Sequence, residues 1–359
     1  MLAVSLIYLL TRSLRIDAAA VFLLSCVIVT IFFSEEIGVA VSKGFLWVLL
    51  FLVVGPLLAG LKVRVFRDLV WRWQKAAVLA VTILSFVWYV AGLLQYGKGV
   101  SGFTLHCMVL GPFAALAIIY AAVKAVNERS YKYALIAVVS LLTCLVSGSR
   151  SAVLGAVAGV ASIPVLQLRS QALRWLCIFL IIVTALFARS WLSFDSLDGS
   201  PLFPGNSPLE RYVAELQQKG LVNTREQLWE TRWSEFNSSR AVGIGIGVDT
   251  SGGLKTEYGT ITIEPGSSYL AMLSMTGLLG VLSFGVLMIT LVMKFRKNWD
   301  FLGSVETTEI VAVGIFWAIH ALVEGWVFAG GSIFCLFFWL WVGKLSNLGS
   351  PDFRRRANI

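Results

Sequence analysis

Long runs of apolar residues, separated by short clusters of Lys and Arg, fill most of this chain. The runs fall at residues 1–10, 16–33, 37–60, 76–94, 105–123, 133–146, 152–168, 175–188, 267–293, 310–328 and 332–342. Most approach the roughly 18–20 apolar residues that a helix needs to cross a bilayer. The pattern predicts an all-α, polytopic membrane protein of about 11 transmembrane helices. Pro56 is expected to kink the end of the third run. Ser147-Gly148-Ser149-Arg150 leaves room only for a tight hairpin between the sixth and seventh runs.

One stretch breaks the pattern. Residues 189–266 are polar and carry half of the acidic residues. They divide the chain into an N-terminal transmembrane bundle (1–188), a large loop (189–266), C-terminal transmembrane helices (267–345) and a basic tail (346–359). A connection this long between spans is usually functional. Ser207-Pro208-Leu209-Glu210 supplies an N-cap, a first-position Pro and a capping Glu, so a helix is expected over about 208–219. A second is expected over about 225–236, with Arg225, Leu228, Trp229, Arg232, Trp233 and Phe236 on one face. Gly243-Ile244-Gly245-Ile246-Gly247 then ends the helical pattern and reads as a flexible return to the membrane. No strand–helix unit surrounds it, so it is not a dinucleotide fingerprint.

Charge sets the orientation. Lys and Arg cluster after the first, third, fifth, seventh, ninth and eleventh runs, at Arg12 and Arg15, at 62–75, at 124–132, at Arg169 and Arg174, at 294–297, and at Lys344 with Arg354-Arg355-Arg356. The alternation places these in the cytoplasm and Ser34–Glu36, 97–102, 147–150 and the large loop outside. The +9 formal charge is therefore explained without nucleic acid, for which no basic patch with interleaved aromatics exists. The five cysteines all lie in apolar runs, and neither a metal site nor a disulfide framework is implied. No signal-peptide cleavage site follows the first run. That run is short for a span, so part of its helix is expected to precede Met1. Most Trp and Phe are expected in interfacial belts and lipid-facing surface.

Four pieces resemble the O-antigen ligase and O-antigen polymerase superfamily of bacterial inner-membrane glycosyltransferases. Ser147-Gly148-Ser149-Arg150-Ser151-Ala152 is similar to that family's Ser-Gly-Ser-Arg motif between two helices. Arg225 and Trp229, with three residues between them, match its loop motif. Gly243–Gly247 resembles its glycine run. Ser268-Tyr269-Leu270 with Thr276-Gly277-Leu278-Leu279-Gly280 resembles the start of its next span. The matching part covers residues 133–343. The resemblance implies a multi-pass protein of the bacterial inner membrane with its large loop in the periplasm. It also implies metal-independent transfer of a glycan, without a cofactor, from undecaprenyl-diphosphate-linked oligosaccharide to a hydroxyl acceptor. The glycan acceptor, the lipid bilayer and a chain-length regulator protein are the further expected partners. The family's loop His-Asn is replaced here by Glu264-Pro265-Gly266-Ser267.

Each candidate carries two readings. Arg225, in the first turn of a helix, suits a diphosphate through its guanidinium fork and the helix dipole; otherwise it is a surface residue paired with Glu226 or Glu230. Arg232 is a second clamp on the same face, or a salt bridge with Glu235 or Glu230. Arg150 and Arg211 bind donor phosphate, or Arg150 simply reaches to headgroups. Glu264 is the base that the resemblance places at the histidine position, or a carboxylate capping the next helix. His320 and Glu324, four apart in the 310–328 run, share a helical face as an intramembrane functional pair or a packing hydrogen bond. Trp229 lines a sugar path or packs the loop core, and Tyr269 belongs to the fourth matching piece. The expected activity is glycan polymerisation. A ligase acting on lipid A core or protein is the alternative, and a lipid-linked glycan flippase is the rival of another class.

Overall fold

The computed structural model describes residues 15–92, 104, 107–166, 168, 226–248, 254–255, 261–262, 266–296 and 304–348. The runs expected at 1–10 and 175–188, the helix at 208–219, the tail arginines, and Arg211, Arg225 and Glu264 lie outside them. Among the described residues the fold is all-helical apart from two minimal ladders. The helices are α1 (Ala18–Phe32), α2 (Ile37–Val53), α3 (Leu61–Val90), α4 (Cys107–Glu128), α5 (Tyr131–Val146), α6 (Arg150–Leu166), α7 (Glu226–Ser238), α8 (Ser268–Arg296), α9 (Val305–His320) and α10 (Ile333–Leu348). The two-residue strands β1 (Arg15–Ile16) and β2 (Leu58–Ala59) pair antiparallel, as do β3 (Leu254–Lys255) and β4 (Ile261–Thr262). Among the described residues three helices, α3, α4 and α8, are long and apolar enough to cross a membrane, and α1, α2, α5, α6 and α10 are shorter apolar helices. These lengths and compositions are compatible with a membrane protein.

The described residues fall into two compact units. One draws on Met1–Trp71, Arg225–Phe301 and Ala321–Ile359, and the other on Arg72–Thr224 and Leu302–His320. The second unit is built around α4. Leu110, Ala114, Leu116, Ala117, Ile119 and Val123 are completely buried, so this helix is enclosed on all sides. Its neighbours approach closely through small residues: a Cβ on Gly159 would meet the Ala312 carbonyl at 2.9 Å, and one on Gly155 would meet Phe316 at 2.8 Å. The hairpin expected at Ser147–Arg150 is present, with Gly148 at φ +74°. A buried polar group lies in the same unit: Lys75 pairs with Glu309 at 2.9 Å, and Gln74 donates to the Tyr120 hydroxyl at 3.0 Å.

The first unit has an aromatic core. Trp47 stacks on Phe51 at 4.8 Å and meets Trp339 edge-on at 5.3 Å, and Trp339 donates its indole N–H to the Val327 carbonyl at 2.9 Å. Trp47, Phe51 and Trp339 are completely buried, so these large rings are core, not the lipid-facing surface expected from composition. Trp73 and Phe32, by contrast, are exposed.

Three expectations about element boundaries need correction. The basic stretch 62–75 is the first half of α3 and not a connection. Within it Arg67 has a dense set of acceptors: the carbonyls of Val54 (3.0 Å), Gly55 and Leu58 (2.7 Å) after α2, and Gly343 O (3.3 Å) and Asn347 Oδ1 (2.9 Å) in α10. Backbone just after α2 and the last two turns of α10 thus converge on one guanidinium. Second, α2 stops at Val53, so Pro56 lies beyond its end and kinks nothing. Third, α10 runs on to Leu348, and Lys344 is buried within it beside Asp68 instead of lying in a basic connection.

Candidate functional site

The site begins with a helix that breaks. α8 is interrupted at Gly277, whose φ of 60° and ψ of −164° belong to a region that only glycine occupies readily. The break removes ordinary helical partners on both sides, and residues 240–245 supply replacements. Leu278 and Leu279 donate to the carbonyls of Arg240 (2.8 Å) and Ala241 (3.0 Å). The carbonyls of Ser274 and Met275 accept from Ile244 (2.9 Å) and Gly245 (3.1 Å). Irregular backbone beside apolar helices is tolerable only when its polar groups are bonded in this way.

The glycine run makes the splice possible. Gly243, Gly245 and Gly247 all have positive φ. A Cβ on Gly243 would meet Thr276 N at 2.5 Å and Met275 O at 2.6 Å. Ile244 and Ile246 are completely buried. The segment is therefore a packed insert, not the flexible return expected from its composition. It also reaches α1's end: Ser34 Oγ and the Glu35 N–H both donate to the Ile244 carbonyl, at 3.0 and 3.2 Å.

The loop helix α7 packs on α8. Trp229 is half-buried and donates its indole N–H to the Gly266 carbonyl at 3.2 Å, which fastens α7 to the entry of α8. Arg232 is 2 % exposed and pairs with buried Glu235 at 2.7 Å, with a further bond to the Val248 carbonyl at 3.4 Å. Its guanidinium is thus occupied inside the protein. Trp233, expected on the buried face, is 52 % exposed, and Glu235 takes the inward position because Arg232 draws it there.

The run expected as one helix over 310–328 ends at His320. Residues 321–332 are unwound, held by the first turn of α8. The Ser268 N–H donates to Ala321 O at 2.8 Å, Ser268 Oγ donates to Glu324 O at 2.6 Å, and the Trp326 N–H donates to Ser268 Oγ at 3.1 Å. A side-chain hydroxyl on a neighbouring helix thus substitutes for helical bonds. His320 and Glu324 consequently do not share a helical face. His320 is buried against Phe316, ring centroids 5.1 Å apart, and Glu324 is half-buried in the unwound segment. Tyr269 sits on an exposed position of α8, and Arg150 is the first residue of α6, half-buried. Among the described residues no group of His, Cys, Asp or Glu has the makings of a metal site.

Two hollows flank the unwound segment. One, of about 310 Å³, is lined by Lys43 and Leu46 of α2, Gly247, Ala271 and Met275 of α8, and residues of 325–332. The other, of about 650 Å³, is an apolar groove along α2 from Leu46 to Val54, closed by Phe66, Val70, Ile333 and Leu336. Leu46, Gly331 and Ser332 line both. Lys43 is the residue that sequence reasoning passed over. It is the sole ionisable residue in the 37–60 run, and an ionisable group inside such a run is a functional candidate by default. No known family's sequence pattern matches the chain, and no curated protein matches it.

Proposed function

We propose that this protein is a periplasmic-facing glycosyltransferase of the bacterial inner membrane that extends glycans from an undecaprenyl-diphosphate-linked oligosaccharide. The observation that carries the reading is the interlocking of three separate stretches. The helix bearing Trp229, the Gly243–Gly247 run and the Ser268–Gly280 segment hold one another by backbone and indole hydrogen bonds. These are three of the four pieces on which the resemblance to O-antigen polymerases and ligases rests.

Charge pairing supports the orientation. Lys294 pairs with Asp17, Lys344 with Asp68 and Lys75 with Glu309, and each pair joins segments that the Lys and Arg alternation assigns to the cytoplasmic face. Ser34 and Glu35, assigned outside, bond to Ile244 of the large loop. With the described helices, this favours about 11 spans and a periplasmic loop.

In the reaction, an acceptor hydroxyl oxygen attacks the anomeric carbon, and the bond to the diphosphate oxygen breaks with its electron pair leaving on the diphosphate. Arg225 neutralises that leaving group, where charge develops. Glu264 takes the hydroxyl proton. Arg232, occupied by Glu235, positions α7. The replacement of the family's His-Asn by Glu264-Pro265-Gly266-Ser267 favours a polymerase over a ligase to lipid A core or protein. A broken helix also occurs in transporters. Here the backbone groups freed at Gly277 are bonded to residues 240–245, which disfavours an ion path and the flippase reading.

Purified protein with a defined lipid-linked oligosaccharide is expected to lengthen the glycan. Arg225→Ala should abolish extension at normal expression, Arg225→Lys should restore part of it, and Glu264→Gln should slow it about 10²–10⁴-fold. Transbilayer movement without transfer, or full activity of Arg225→Ala, overturns the reading. In a background without its native cysteines, a Cys at Ser207 should label from outside and one at Ser350 should not.

A further inference from the structure

Lys43 and the groove beside it form one amphipathic site. Among the described residues, Lys43 is the only charged one lining either hollow. Its position is fixed by two close backbone approaches. A Cβ on Gly247 would meet Lys43 Cγ at 2.6 Å, and one on Gly330 would run into the Lys43 carbonyl and lie 2.9 Å from Trp47 N. The two glycines thus press on the lysine's stem and backbone, while the residue remains exposed at the hollow. Ser332, shared by both hollows, accepts the Phe334 N–H at 3.2 Å and so caps α10, whose positive end adds to the field at the junction.

The groove has the opposite character. Apart from Ser332 its described wall residues are apolar or glycine, and Leu46, Leu49 and Ile333 are exposed, so it opens sideways to the surface. Its α2 wall from Leu46 to Val53 rises about 10 Å. Lys43 lies about 9 Å along α2 from Ile37, the end next to Glu35 and Glu36. With that end at the outer face, a headgroup at Lys43 lies near the periplasm and the groove runs inward from it.

We propose that these two hollows hold one single-chain polyprenyl phosphate lipid, its phosphate on Lys43 and its chain in the α2 groove. The identity of the lipid rests on the glycosyltransferase reading above; the site itself rests on the geometry. Charge complementarity selects an anionic head. A single groove selects one chain, against the two of a glycerophospholipid. A free phosphate or diphosphate leaves the groove unfilled. A lipid held here presents its head beside Gly247 and the unwound segment, both anchored to α8.

The test is titration of the full chain, purified in neutral detergent, with farnesyl diphosphate, inorganic diphosphate and dioleoyl phosphatidylglycerol. Farnesyl diphosphate is expected to bind at least about tenfold more tightly than either of the others. Lys43→Gln should weaken it about tenfold or more, and Lys43→Arg should retain it. Leu49→Trp, which fills the groove without touching the cation, should weaken farnesyl diphosphate but not inorganic diphosphate. Each variant is matched to wild type by thermal unfolding, and Leu46→Trp substitutes where Leu49→Trp fails that match. Equal affinity for phosphatidylglycerol, or farnesyl diphosphate binding unaltered by both Lys43→Gln and the groove variant, overturns the proposal. The two readings separate cleanly. Lys43-dependent binding without glycan extension sinks the enzyme alone, and extension with binding indifferent to Lys43 and the groove sinks this site alone.

Discussion

Gly277 and Gly285 lie on the same helix, and the same substitution at each should have opposite sign. A Cβ at Gly285 meets nothing within 4 Å. Gly285→Ala should therefore stabilise the protein by about 0.5–1 kcal/mol, the ordinary difference between Gly and Ala inside a helix. At Gly277 the backbone must hold φ 60° and ψ −164°, and a Cβ would lie 2.5 Å from the Ala241 carbonyl. Keeping the break costs about 1–3 kcal/mol of backbone strain before the clash is counted. The alternative is to straighten α8. Leu278 and Leu279 then regain helical partners, but the buried Ile244 and Gly245 N–H groups lose theirs, at about 1–3 kcal/mol each. Either route leads to a net loss of about 3–5 kcal/mol for Gly277→Ala. Denaturant or thermal unfolding in detergent measures the two changes, and amide exchange at Ile244 and Gly245 tells which route is taken. Equal effects of the two substitutions, or unchanged protection at Ile244 with no loss of stability, would refute the account of the splice.

Two further outcomes follow from the same bonds. Ser268→Ala removes the donor to Glu324 O and the acceptor for the Trp326 N–H, so stability should fall by about 2–4 kcal/mol. Amide exchange at Trp326 should quicken, and an unchanged Trp326 would show that the hydroxyl does not hold the unwound segment. Arg67→Met strands several carbonyls at two helix ends and should cost about 3–5 kcal/mol in thermal unfolding. Arg67→Lys should recover little, since one ammonium cannot span acceptors on both sides, and full recovery by Lys would count against the guanidinium's role.

Much of the architecture is written along the chain. Apolar runs of helical length and Gly148 in its Ser-rich turn locate helices and one hairpin, because these depend on local composition and backbone geometry. The α7 helix is expected at 225–236 and found at Glu226–Ser238 for the same reason. What the sequence could not supply is the partner of each polar group. The 310–328 run has the composition of one helix, yet it stops at His320, and the first turn of α8 supplies hydrogen bonds to residues 321–326 in place of helical ones. Arg67 reads as a loop cation until two remote helix ends are seen to deliver carbonyls to it. The break at Gly277 needs residues 240–245, more than thirty positions earlier, to satisfy it. Lys43 was legible as an odd charge in an apolar run, but the groove that gives it a use is assembled from α2, α3 and the segment entering α10. Periodicity tells which face of a helix avoids water. Only the tertiary structure decides which distant backbone groups and charges that face will meet.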